Sequence, residues 1–131
     1  AEERGAMIEA WAESANLSVS VVHIEDIDDP PRWVEHATKV HGTGTLVTSD
    51  EPTRNHYAQA GWDVHEVELS QRTTLEGWRV RQTIRMLSTV MDDEATREVL
   101  SASVPAAVIE WLIENDAVFR CSTFETGVHA G

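Results

Sequence analysis

Residues 1–15 space Met7, Ile8 and Trp11 at helical intervals and set glutamates on the opposite face, which predicts an amphipathic helix. Asn16 is placed to end it. Residues 17–24, LSVSVVHI, are β-branched and partly alternating, and predict a strand. Pro30 and Pro31 stop that strand and open a helix from about Arg32 to His41. After the HGTG turn, TLVTSD (45–50) predicts a short buried strand. Ser49 or Asp50 then caps a helix over EPTRNHYAQAG, with Pro52 in its first turn and Gly61 at its end. WDVHEVEL (62–69) predicts a third strand, and SQRTTLEG a loop. The rest reads as helical. Residues 78–91 align Val80, Ile84, Leu87 and Met91 on one face; Asp92 or Asp93 caps the next helix; and 104–115 forms another, with Pro105 near its first position. Residues 120–131 read as a fraying tail.

Alternation of helix and strand implies a parallel sheet with helices on its faces. In such folds ligands sit beyond the C-terminal ends of strands. That directs attention to HIEDID after the first strand, TSDEP after the second and LSQRTTLEGW after the third.

Composition narrows the function classes. The 131 residues fit one domain, and 41% hydrophobic with 25% charged residues is a globular balance. Ten Lys and Arg against 23 Asp and Glu give a net charge of −13. That field repels phosphate backbones and anionic bilayers, so neither nucleic acid nor membrane is an expected partner. Cys121 is the one cysteine, which excludes an intrachain disulfide and a cysteine-built zinc site. No apolar run reaches the ~20 residues of a membrane span and no basic-then-apolar leader is seen, so a reducing, cytoplasmic setting is the expectation. Nine of the ten basic residues are arginine; only Lys39 is lysine. An acidic, lysine-poor chain suits a high-salt interior, where its self-repulsion is screened. An ordinary acidic protein from a GC-rich genome has the same look. The chain begins with Ala1, which fits a processed chain, a trimmed one or a piece of something longer.

Each strand end offers chemistry beside a plainer role. Glu25, Asp26, Asp28 and Asp29 crowd one turn, where carboxylates hold a ribose, an amide or a divalent ion, or are simply solvated. Trp33 beside that turn is a surface for stacking a flat heterocycle, or a core residue. Ser49 and Asp50 precede a helix whose free N–H groups receive an anion or a base edge, or are simply capped. Arg72, Arg79, Arg81 and Arg85 cluster around Gly77 at a helix start, as in polyphosphate recognition, or neutralise nearby acids. None of the six histidines has metal-ligand spacing. There is no GxSxG, P-loop or GxGxxG.

Over roughly residues 1–120 the chain resembles the archaeal-type nicotinamide mononucleotide adenylyltransferases of the HxGH nucleotidyltransferase superfamily. AEERGAMIEAWAE is similar to the family helix after its second strand. VVHIEDID resembles a strand ending in a proline-aspartate-isoleucine turn, with Asp26 and Ile27 in register. RWVEHA resembles a tryptophan-valine-x-histidine segment. TLVTSDEP resembles a strand ending in serine-asparagine. QAGWDVHEVEL is similar to an "AGY-x-V" strand, EGWRVRQTI stands where the family has SGTxIRRRM, and VPAAVIEWLIEN resembles its VPxAVxEYI helix.

The resemblance implies an α/β fold: a Rossmann-like parallel sheet with flanking helices, N-terminal strands missing and a helical C-terminal part. It implies one domain over 1–120 and a flexible tail over 121–131. It assigns Gly77 and Arg81 to the ATP phosphates, with Arg81 the catalytic charge, places Ser49 and Asp50 at the adenylate site, and sets Asp26 and Trp33 at the nicotinamide end. ATP and nicotinamide mononucleotide are the implied partners, with Mg²⁺ carried on the ATP phosphates and no protein-held metal. Unpaired strand edges add the expectation of a homo-oligomer. Three departures stand out. Glu76 and Trp78 replace the serine and threonine of SGT, so hydroxyl contacts to phosphate are lost and Glu76 repels it. Asp50 replaces asparagine. No HxGH occurs in the 131 residues, and the family places it ahead of the region where this sequence opens, so a fragment or a truncated relative is expected. A cytidylyltransferase-like enzyme with another acceptor and a non-catalytic nucleotide-binding or oligomerisation module are the alternatives.

The charge balance yields a first prediction. Raising salt from about 0.1 M to about 1 M shortens the Debye length from about 10 Å to about 3 Å. The melting temperature should rise across that range; a melting temperature unchanged by salt would contradict adaptation to high salt.

Overall fold

The computed structural model describes residues 1–123. In chain order it contains α1 (Glu2–Ser14), a 3₁₀ turn (Pro30–Arg32), α2 (Trp33–His41), β1 (Thr45–Thr48), α3 (Glu51–Gln59), β2 (Asp63–Glu66), α4 (Arg72–Leu75), α5 (Gly77–Leu87), α6 (Asp93–Leu100), α7 (Ala106–Glu114) and α8 (Ala117–Cys121). These elements fall into two compact units, one formed by Ala1–Val21 with the chain from Gln71 onward, the other by Val22–Ser70.

The first unit is helical. Leu100 is wholly buried, at 0% exposure, among Ile84, Leu87, Ile109, Leu112 and Ala117, and Met7, Val80 and Trp111 pack around them. Helix α1 lies on α7, and α5 on α6 and α8. Local chemistry sets the helix ends. Asp92 accepts from the Glu94 and Ala95 amides and starts α6. At the end of α1, Asn16 takes φ +56° while the Asn16 and Leu17 amides donate back to the Glu13 and Ala12 carbonyls. That pair of bonds closes the helix as the Asn16 reading requires. Arg97 clamps both oxygens of Glu110, at 2.7 and 3.3 Å, and also reaches Glu94 at 2.8 Å, tying α6 to α7. The guanidinium bond holds the Glu110 carboxyl below its ordinary value.

The second unit carries the sheet. β1 and β2 run parallel, with Thr45 opposite Asp63 and Thr48 opposite Glu66. Parallel strands need a crossover, and α3 supplies it, packing on both. Val34, Ala37 and Tyr57 are the buried hydrophobic residues of this unit. Gly61 ends the α3 turn at φ +84°, a conformation that favours glycine. The mixed α/β class with a parallel sheet is therefore as expected, and consistent with a Rossmann-like fragment.

Several local expectations are corrected. Residues 17–24 form no strand: no segment among the described residues pairs with them, and Leu17, Val19 and Val22 stay about half exposed. A β-rich run without a neighbour has nothing to receive its backbone groups. Met91 does not join the face of Val80, Ile84 and Leu87; it is 89% exposed at φ +54°. Helix α5 stops at Leu87, where the Ser88 and Thr89 hydroxyls bond back to the Arg85 and Met86 carbonyls. The loop after β2 contains the single helical turn α4, and Pro105 caps α7 one position before its first residue. Arg120 and Cys121, read as the start of a tail, belong to α8. The rest of that tail, 124–131, lies outside the described residues.

Core burial gives a second prediction. Leu100→Ala should lower the unfolding free energy by about 2–5 kcal/mol, read by urea denaturation. The neighbouring half-exposed Val99 serves as the control, where truncation to Ala should cost within about 0.5 kcal/mol.

Candidate functional site

The predicted site residues divide between the two units: Asp26, Trp33, Ser49 and Asp50 in one, Gly77 and Arg81 in the other. In the strand-bearing unit, the acidic turn and the start of α2 meet through His36. Its Nε2 lies 2.7 Å from the Glu25 carbonyl oxygen, and its ring centroid lies 5.7 Å from that of Trp33. Asp26 is exposed, and its Oδ1 accepts from the Asp28 amide, steadying Asp28 at φ +51°. Trp33 is half-buried, whereas Val34 and Ala37 supply the buried face of α2. The double proline thus presents Trp33 at the helix start, and His36 links it to the residue preceding Asp26.

At the end of β1, Asp50 caps α3. Its Oδ2 accepts from the Thr53 hydroxyl at 2.6 Å and the Thr53 amide at 3.0 Å, and those bonds hold its carboxyl below the ordinary value. Ser49 stays exposed beside it. A carboxylate already seated on the first turn of α3 lowers the appeal of that turn to a second anion.

In the helical unit, Gly77 is the first residue of α5 and is exposed, while Arg81, one turn on, is half-buried. The charge of Arg81 is felt at Cys121 on α8. Burial pushes that thiol up, and Arg120 and Arg81 pull it partly back. A raised thiol is a poor nucleophile. Glu76 accepts through Oε2 from the Trp78 indole N–H at 2.8 Å and from Arg79 Nε at 3.1 Å. The Arg79 guanidinium carbon lies 4.4 Å from the centre of the Trp78 ring. The two residues that depart from SGT are thus joined to each other and to Arg79.

Sequence reasoning missed that clasp, although Glu76 and Arg79 stand three apart, the spacing of a helical ion pair. It also missed the cluster of His41, Tyr57 and Trp62. His41 Nε2 lies 2.9 Å from the buried Tyr57 hydroxyl, and Trp62 meets both rings edge-on. These rings, with Gly42 to Val47, line a depression of about 270 Å³. A larger groove of about 790 Å³, lined by Arg85, Met86, Leu87, Val90 and Val99 with three polar neighbours, takes in Arg85 of the arginine cluster and none of Asp26, Trp33, Ser49, Asp50, Gly77 or Arg81. No group of three or more metal-ligating side chains exists among the described residues, and none of their helices is long and apolar enough to cross a membrane.

No family model matches the chain. A nicotinamide-nucleotide adenylyltransferase of Haloarcula marismortui is 31% identical over 121 residues, which covers 92% of this chain. The chain spans 59% of the length of that relative.

The Asp50 cap gives a third prediction. Because its native pKa is depressed, its stabilising contribution is present above the ordinary carboxylate pKa of about 4 and is lost as pH falls through the lower native value. The unfolding midpoint of the wild type should therefore drop more on acidification below about pH 4 than that of Asp50→Asn, which keeps a capping oxygen without titrating. Parallel pH curves would show that the bond to Thr53 contributes nothing.

Proposed function

We propose that the chain is nucleotidyltransferase-like and forms part of an enzyme that joins ATP to nicotinamide mononucleotide, releasing pyrophosphate and forming NAD. The likeness to the haloarchaeal adenylyltransferase across 92% of the chain carries this reading. In it, Gly77 and Arg81 receive the ATP phosphates at the start of α5, and Arg81 offsets the charge that builds there during transfer. Ser49 and Asp50 border the adenylate, Asp50 through its free lone pairs. Trp33 and Asp26 face the nicotinamide end, where an indole stacks on a flat ring. Mg²⁺ arrives on the ATP phosphates as part of the substrate. Such chemistry needs little covalent work from the protein and depends on positioning and charge. The same reading takes the protein as a cytoplasmic homo-oligomer adapted to high salt.

A non-catalytic nucleotide-binding module is the second reading, favoured by one observation: the Glu76 carboxylate occupies Arg79 at the segment where the family has SGT. A cytidylyltransferase-like enzyme differs only in its partners.

Calorimetry separates these. Arg81→Ala should weaken ATP binding by about 1.5–3 kcal/mol, the scale of a hydrogen bond to a charged group. Trp33→Ala should weaken nicotinamide mononucleotide binding more than ATP binding. Equal loss of both ligands in Trp33→Ala makes Trp33 a packing residue, and unchanged ATP affinity in Arg81→Ala removes it from the phosphate site. NAD formation from ATP, Mg²⁺ and nicotinamide mononucleotide distinguishes enzyme from module.

A further inference from the structure

Residues 17–29 contain neither helix nor strand, so the turn that carries Asp26 takes its place from side-chain bonds rather than from a ladder. One bond is internal: Oδ1 of Asp26 accepts from the Asp28 amide. The other comes from α2, where His36 Nε2 lies 2.7 Å from the Glu25 carbonyl oxygen. A carbonyl only accepts, so the imidazole donates, and it does so as the neutral Nε2–H tautomer and as the cation alike. Trp33 stands three positions earlier on the same helix, where side chains are neighbours, and the two rings meet at 5.7 Å with their planes 52° apart. One imidazole is thus shared between the backbone of the acidic turn and the indole.

We propose that His36 is a positioning residue for the nicotinamide end: by bonding the Glu25 carbonyl while it lies against the Trp33 ring, it sets how the Trp33 face and the Asp26 carboxylate are spaced for one flat ligand. This rests on the roles proposed above for Trp33 and Asp26. His36 acts through those two residues and not on the ligand. A turn released from α2 must be ordered again at each binding event, and that ordering costs affinity. The bond is exposed, so its loss leaves Val34 and Ala37, the buried face of α2, in place.

The test is calorimetric titration of the full chain with nicotinamide mononucleotide and, separately, with ATP, each protein being checked for native circular dichroism and melting temperature. His36→Gln keeps an N–H donor on a side chain of similar reach and removes the ring; His36→Phe keeps a ring and removes the donor; His36→Ala removes both. His36→Phe and His36→Ala should weaken nicotinamide mononucleotide binding about three- to tenfold, the scale of one hydrogen bond, and change ATP binding by less than about twofold. His36→Gln should recover most of the lost affinity, which a packing role alone does not produce. Wild-type affinity in all three variants, rescue by Phe and not by Gln, or an equal loss for both ligands would overturn the proposal. Absence of nicotinamide mononucleotide binding by the wild type would instead overturn the nicotinamide reading of Trp33 and Asp26, and this inference with it.

Discussion

Burial around Leu100 is the constraint on which the helical unit depends. Apart from α1, its longest helix is α5 at 11 residues, and α6 has eight. Helices this short are marginal in water by themselves. They persist because Ile84 and Leu87 from α5, Leu100 from α6, and Ile109 and Leu112 from α7 remove one another from solvent. The polar ties follow from that packing. Arg97 meets Glu110 with two bonds only because α6 and α7 are already side by side. The pair is largely solvated, so it fixes the alignment of two helices more than it adds to their stability.

The local parts of this architecture were legible in the chain because their causes are local. Asp50 and Asp92 start helices and Asn16 closes one through bonds to residues two or three positions away, and such bonds depend on little else. The parallel pairing of β1 and β2 was legible from the helix between them. Residues 17–24 were misread because a strand is a relation between segments, and β-branched composition supplies only one member of it. Met91 was misread because helical spacing extends a face on paper, whereas Ser88 and Thr89 turn their hydroxyls onto the last carbonyls and end the helix.

The local setting of the candidate residues was legible more than their partners were. A strand-to-helix rule leads to Ser49 and Asp50, and a glycine before an arginine-bearing helix leads to Gly77 and Arg81. The rule does not say where a side chain spends its lone pairs. Asp50 gives one oxygen to Thr53, and Glu76 gives one to Trp78 and Arg79. His36 shows the converse: of no interest as a metal ligand, it joins the acidic turn to the Trp33 helix through a backbone carbonyl.

The two units are nested in the sequence, since Val22–Ser70 interrupts the helical unit between α1 and the chain that continues from Gln71. Helix α1 packs on α7, so α1 must wait for a helix about ninety residues later in the chain, counted from Ser14 to Ala106. Closing so long a loop carries an entropic cost that grows with the logarithm of its length. Prior folding of the interrupting segment, whose own contacts are closer in sequence, would shorten the flexible path and lower that cost. The contacts of α1 with α7, and of Glu3 with Arg120 on α8 at 2.8 Å, are thus the most non-local in this unit, and they are expected late in folding, after the α5–α6–α7 cluster has formed from neighbours in sequence. Until then the apolar side of α1 stays open to solvent, and the time a new chain is vulnerable to association is set by how quickly α1 and α7 meet.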